Sequence, residues 1–314
     1  MEHNHAHISE HQSKTRLLIT TFIVAAIMVA EVVGGILSNS LALLGDAGHM
    51  LVDILALGLS LFAINLAARP ATPGRTFGYH RVEIMAALAN GVLLVMVSVY
   101  IFFEAYQRFR NPPVVDVPLM LIIAVIGLIA NIIGIFMLRD ASHGNLNIKA
   151  AFWHILGDSI SSVGVVAGGV IIYFTSWEVV DPIIAVLIGC IILWGAVRLV
   201  RESTDILMES VPKQMPVEKV VELMKSVPGV DEVHDIHIWT ITSGIYALSA
   251  HIMIEDQSVS SSGEIMQALN AELSRQFNIT HTTLQMECEK CATCPGGLIC
   301  QLSREQLGLD HADH

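Results

Sequence analysis

The chain has 314 residues, of which 53% are apolar and only 15% charged, and its mean hydropathy is +0.61. A soluble domain carries about 25% charged residues, so composition excludes a wholly soluble protein and indicates a membrane one. The formal net charge of −12 argues against nucleic acid as a partner, because Lys and Arg carry that binding.

In chain order, residues 1–15 form a polar tail rich in His (His3, His5, His7, His11) without the pattern of a cleavable signal peptide. From 16 to 205, six segments reach the roughly 20 mostly apolar residues that a helical span needs. They are Leu17–Leu37, Leu41–Leu66, Ile84–Tyr106, Leu119–Leu138, Ile148–Phe174 and Val179–Val200. Their connections are short after the first and fifth segments and longer over Ala67–Val82 and Arg139–Asn147. With the N-terminus in the cytosol, Lys14, Arg16, Arg69, Arg75, Arg81, Arg139, Lys149, Arg198 and Arg201 share one side, against Arg108 and Arg110 on the other. The bias of Lys and Arg toward the cytosol therefore puts both termini inside.

After the spans the chain changes character. From Arg201 onward seventeen Asp and Glu face seven Lys and Arg, which leaves only −2 of the net −12 to the first part. Such a domain raises the local concentration of cations, or is acidic for solubility alone. Over 206–290 the pattern predicts a helix (Pro216–Val227), two strands (Asp231–Thr240, Ile245–Ile254) joined by a hairpin at Thr242, Ser243 and Gly244, a helix (Ser262–Phe277) and a short strand (Thr282–Glu287). That order suits a small α+β sandwich. Residues 291–314 form a tail with Cys and His.

The residues that speak of function are ionisable and lie inside the spans. The second span holds Asp46, His49 and Asp53; the fifth holds His154 and Asp158. His49–Asp53 and His154–Asp158 share the unit His-x-x-x-Asp, whose spacing puts both side chains on one helical face. An Asp at bilayer depth is costly and marks a pathway or a pair. Two such units supply two imidazoles and two carboxylates, a donor set that matches tetrahedral zinc. Asp46 is either a supporting group or a residue at the mouth of the path. Glu31, Asn65, Asn90, Glu104 and Asn131 read as contacts between helices, with Glu31 and Asn131 also candidates for the pathway. The pairs Gly34-Gly35 and Gly168-Gly169 read as close helix packing.

Outside the membrane, strand alternation places His234 on the opposite face from His237, and a hairpin brings His251 toward His234. Cys288, Cys291 and Cys294 have ligand spacing, and Cys300 completes four thiolates, though no second separated pair accompanies them. Cys190 lies in an apolar run. Thiols in a cytosolic tail bind metal or stay reduced more often than they form disulfides. His311 and His314 join the N-terminal His as weak metal binders.

Five segments in order resemble the cation diffusion facilitators: Ser40–Asp53, Arg75–Glu83, His154–Ser159, Val233–Trp239 and Leu248–His251. The resemblance spans about Arg16 to Glu287. It implies a membrane α-helical bundle with six transmembrane helices, followed by a cytosolic α+β ferredoxin-like (metallochaperone-like) domain. It implies a homodimeric antiporter in the lipid bilayer that exports metal for protons. The transport site then falls on His49, Asp53, His154 and Asp158, and His with Asp in both spans resembles the zinc branch, which also takes cadmium or cobalt. Cytosolic metal would fall on His234, His251, His281 and Glu287, with His80 a candidate in the linker. Arg81 and Glu209 stand where relatives place a charge pair near the dimer interface. The link between the fourth and fifth spans holds only His143, unlike the long His-rich loop of vesicular relatives, and this favours a bacterial exporter of the cell membrane. The linker also lacks the Asp-His cluster of some bacterial relatives.

Three rival classes compete for these residues. Neither His-Glu-x-x-His nor Gly-x-Ser-x-Gly occurs, so an intramembrane hydrolase and any enzyme are disfavoured. A channel for hard cations favours oxygen donors over imidazole. A membrane-tethered metal sensor would use the cytosolic residues and need no transport site. No organic cofactor is expected.

Overall fold

The structure, a computed structural model, describes residues 22–139, 146–288 and 298. The described residues form two compact units: residues up to Ala63 with Ala86–Val200, and Ile64–Met85 with the residues from Arg201 on.

The first unit is built on α1 (Phe22–Ser38), α2 (Leu41–Ala67), α3 (Arg81–Arg110), α4 (Val117–Arg139), α5 (Leu146–Thr175) and α6 (Val180–Leu207). Five of these, α2 to α6, are long and apolar enough to cross a membrane; the described part of α1 is shorter, because the expected start at Leu17 lies outside the described residues. Each break has a local cause. Asn39 and Ser176 take positive φ (57° and 53°) and reverse the chain after α1 and α5. Ser40 then caps α2, its Oγ accepting from the Leu43 N–H at 3.2 Å. Pro112 and Pro113 follow α3, and Asp116 caps α4 through the Leu119 N–H at 3.2 Å.

These helices are arranged for lipid. On α4 the buried positions are Met120, Ala124, Gly127, Asn131, Gly134 and Leu138, at alternating spacings of three and four, while Ile122, Ile126, Ile129, Ile133 and Phe136 are exposed. The inward stripe carries the small and polar residues and the outward face the large apolar ones, the reverse of a helix in water. Gly34 and Gly35 meet Ile123 and Leu44, and Gly168 and Gly169 meet Ile184 and Leu121, so closely that a Cβ would clash. These are the close helix contacts that the paired glycines indicated.

At one end of this unit a buried polar network holds the start of α2. The Asp181 carboxylate on α6 accepts from Ser40 Oγ (2.6 Å), Leu41 N (2.7 Å) and Ala42 N (3.2 Å). Arg108 on α3 donates to the Asn39 carbonyl (2.6 Å) and to Glu104 (3.1 Å), and lies 3.7 Å from Asp181. Glu104 is thus one partner of Arg108.

The second unit contains α7 (Val217–Lys225), β1 (Glu232–Thr242), β2 (Ile245–Met253), α8 (Val259–Phe277) and β3 (Ile279–Glu287). The sheet runs β1-β2-β3, with β1 antiparallel and β3 parallel to β2. Val220, Met224, Ile238, Leu248, Ile252, Leu269, Leu273 and Ile279 form its core. Helix α8 starts three residues earlier than its apolar spacing indicates. Ser258 supplies the cap through the Ser261 N–H at 3.2 Å, and Val259 is exposed and so carries no burial signal. Strand β3 likewise starts at Ile279, directly after Asn278 closes α8 in the left-handed conformation (φ 55°).

The β1–β2 register shifts at two places, between His234 and His237 and between Thr240 and Thr242, and the first bears on the histidines. His234 pairs with His251 and His237 with Ser249, so three steps on β1 face two on β2. Asp235 is the extra residue of this bulge and takes φ 47°. His237 therefore shares a face with His234, contrary to the expectation of opposite faces.

Candidate metal centres

The first unit brings the two His-x-x-x-Asp units together. His49 Nε2 lies 3.3 Å from Asp53 Oδ2, His154 Nε2 lies 3.4 Å from the same oxygen, and His154 Nε2 lies 3.7 Å from Asp158 Oδ2. The two imidazole rings meet edge to face with centroids 6.1 Å apart. Ligand atoms of His49, Asp53 and His154 all fall within 4.8 Å of one another, and Asp158 adjoins through His154. His49 Nδ1, Asp53 Oδ2 and Asp158 Oδ2 are buried without a hydrogen-bond partner. Buried polar atoms are otherwise nearly always paired, so orphaned atoms on these neighbouring side chains fit a cation held among them. A cavity of about 480 Å³ reaches the cluster, lined by His49, His154, Asp158 and Ser161 and otherwise largely by apolar side chains such as Trp194.

Asp46 does not project among these ligands. Its carboxylate accepts from Ser161 Oγ (2.5 Å) and Ser162 Oγ (3.3 Å), bracing α2 against α5. The sequence held no sign of these serine partners, because nothing in their spacing distinguishes them from packing residues.

The second unit holds another cluster. The register sets His234 opposite His251, and Glu287 pairs with Met253, two positions farther along β2 on the same face. His234 Nε2 is 3.2 Å from Glu287 Oε2 and His251 Nδ1 is 3.0 Å from Glu287 Oε1. Ligand atoms of all three lie within 4.8 Å of one another. His234 Nε2 and His251 Nδ1 are buried without a hydrogen-bond partner, and Gln285 steadies Glu287 with a 2.7 Å bond. Two imidazole nitrogens and a carboxylate oxygen suit a borderline divalent metal. On the far side of His251, Asp235 Oδ2 stands 3.9 Å from Nε2, and Asp235 Oδ1 is 3.2 Å from His237 Nε2.

Not every candidate joins a cluster. His281 pairs with Ala247, six residues before Glu287 on the same strand, which at about 3.3 Å per residue is roughly 20 Å away. Its ring packs edge-on against Phe77 at 5.2 Å. The four-residue cytosolic set is therefore reduced to three. His80 lies half-buried in the turn before α3 and belongs to neither cluster. Cys288 is half-buried just past β3, while Cys291, Cys294 and Cys300 lie outside the described residues, as do the His of both tails and His143. Arg81 and Glu209 do form a pair, at 2.6 Å, with both side chains largely exposed.

Residues 17–208 match the family described as the cation efflux transmembrane domain, and residues 212–289 match the cation efflux protein cytoplasmic domain. The chain is 39% identical to the cadmium, cobalt and zinc/H(+)-K(+) antiporter of Bacillus subtilis, with 100% of each chain covered. It is 42% identical to the metal cation efflux system protein CzcD of Cupriavidus metallidurans, over 92% of this chain and 90% of that one. It is 40% identical to the zinc transporter ZitB of Pectobacterium atrosepticum, over 93% and 90%.

Proposed function

The chain belongs to the cation efflux family, and from that premise we propose that it exports zinc, with cadmium or cobalt as further substrates, from the cytosol in exchange for protons. The observation that carries this reading is the grouping of His49, Asp53 and His154, whose ligand atoms lie within 4.8 Å of one another, with Asp158 3.7 Å from His154. Two carboxylates balance the charge of a divalent ion, and two imidazoles supply the nitrogen donors that zinc accepts. The site binds metal only with both His neutral and both Asp ionised, so protons and metal compete for it. A site facing the cytosol takes up metal as its ligands lose protons. Facing outward, the same ligands take protons back and release the ion.

In this reading both termini lie in the cytosol, residues 16–205 form the membrane domain and 206–290 the cytosolic one, and the chain works as a homodimer in a bacterial cell membrane. The order α7-β1-β2-α8-β3, with β2 between an antiparallel and a parallel neighbour, supports the ferredoxin-like description. In the same reading His234, His251 and Glu287 hold a second metal ion in the cytosolic domain. The protein catalyses no bond chemistry and uses no organic cofactor.

Reconstitution in liposomes with an imposed proton gradient tests this function. Zinc flux should follow the gradient in the parent and vanish in Asp158→Ala. Absence of flux in both, with zinc still held by the cytosolic residues, would replace the exporter with a membrane-tethered sensor.

A further inference from the structure

We propose that Glu31 carries one of the exchanged protons, in a buried polar cluster that is separate from the metal ligands. This rests on the proton-exchange reading above. Glu31, on α1, is 1% exposed, and its Oε2 has no hydrogen-bond partner. Its Oε1 occupies the space beside Gly127 on α4, 2.6 Å from where a Cβ would stand. One turn on, on the same buried stripe of α4, lies Asn131, 2% exposed. Asn131 Nδ2 reaches Ser162 Oγ at 3.4 Å, and its Oδ1 is again without a partner. Ser162 in turn donates to Asp46 at 3.3 Å. A line of polar groups thus crosses four helices, from Glu31 through Asn131 and Ser162 to Asp46.

The charges around Glu31 decide what the line can carry. Asp46 from α2 and Asp158 from α5 act on Glu31 electrostatically, and His49 and Asp158 act on Asp46. Helix α4 contributes only the neutral Gly127 and Asn131 to the cluster. Neither α1 nor α2 contains a Lys or Arg, α4 has one only at its last residue, Arg139, and α5 has one only in its first turn, Lys149. Carboxylates grouped this way in a membrane balance their charge only by taking up a cation, and buried acidic residues of this kind mark ion paths and proton relays. Glu31 and Asn131 offer only oxygen, with no imidazole or thiolate, which is a poor match to zinc. The close fit of Glu31 against α4 also suits a proton better than a larger ion.

The coupling is electrostatic. When metal leaves Asp158 on the outer side, the uncovered carboxylates draw a proton onto Glu31, and one O–H bond forms. When metal next binds from the cytosol, its charge expels that proton inward, and the bond breaks. The proton gradient supplies each proton, and metal and proton move in opposite directions.

The test uses the full-length protein in liposomes, with zinc binding measured by calorimetry and protons moved per zinc measured with an internal pH dye. Glu31→Gln should bind zinc as the parent does, move one fewer proton per zinc and respond more weakly to the gradient. Glu31→Asp keeps a carboxylate and should keep coupling, with a displaced pH profile of transport. A Glu31→Gln variant with the parent's proton count and gradient response overturns the proposal. Loss of zinc binding in that variant overturns it as well, by placing Glu31 in the metal site. Should Glu31→Gln not fold, an unshifted pH profile in Glu31→Asp overturns the proposal and a shifted one supports it. If the parent itself shows no gradient-driven flux while zinc binds, proton exchange fails and the role of Glu31 falls with it, an outcome distinct from the others.

Discussion

Asp181→Ala removes three hydrogen bonds from the start of α2 at once, those from Ser40 Oγ, Leu41 N and Ala42 N. Leu41 and Ala42 are 1% and 0% exposed, so water cannot replace the lost acceptor. A buried donor left unsatisfied costs about 1–3 kcal/mol, and two such amides give about 2–6 kcal/mol. Arg108 adds less, because it keeps its bonds to Asn39 and Glu104. The damage falls on the helix that presents His49 and Asp53 two and three turns farther on. Asp181→Asn retains one acceptor oxygen and should cost about half as much. Thermal unfolding in lipid nanodiscs at one fixed scan rate, necessary because membrane proteins often unfold irreversibly, should rank parent above Asn above Ala. Zinc affinity at the intramembrane site should fall in the same order. If both variants unfold with the parent and bind zinc equally, Asp181 does not hold α2 in place and the reasoning is refuted.

The other expectations concern the two clusters and the hairpin. Replacing both His49 and His154 by Asp converts the donor set to four carboxylates, and transport should shift from zinc toward manganese; unchanged selectivity would contradict the ligand assignment. His251→Ala or Glu287→Gln should abolish metal binding at the cytosolic cluster, read by calorimetry on the full-length protein, and leave the intramembrane ion in place. Glu83 accepts from Thr242 Oγ1 (2.5 Å) and Ser243 Oγ (2.9 Å). Glu83→Ala should therefore loosen the β1–β2 hairpin by about 1 kcal/mol, seen as faster hydrogen exchange over 242–244, and equal exchange would dismiss that contact.

Much of this arrangement was legible in the sequence because membranes impose a simple code. Spans must be long and apolar, so α2 to α6 stood out by length, and an ionisable residue inside one stands out by its cost. Repetition of His-x-x-x-Asp then singled out His49, Asp53, His154 and Asp158 as the candidate ligands, since helical spacing alone puts each pair on one face. What escaped were features set by tertiary contact. Ser161 and Ser162 look like packing residues until Asp46 is seen to rest on them. The bulge at Asp235 has no sequence mark, and without it alternation sends His237 to the wrong face. The resemblance groups His281 with Glu287, yet six residues of strand rise separate them. Glu83, Asp181 and Arg108 make contacts more than 60 residues away in sequence, and no local pattern announces them.

The most direct test of the central claim, that two His and two Asp carry the metal between α2 and α5, is the absorption spectrum of bound cobalt. The full-length protein would carry Ala at His234, His251 and Glu287, to silence the cytosolic cluster. One intense tetrahedral cobalt spectrum, lost in both Asp53→Ala and Asp158→Ala, is the predicted result. A weak octahedral spectrum, or a tetrahedral one that survives either substitution, would contradict the account.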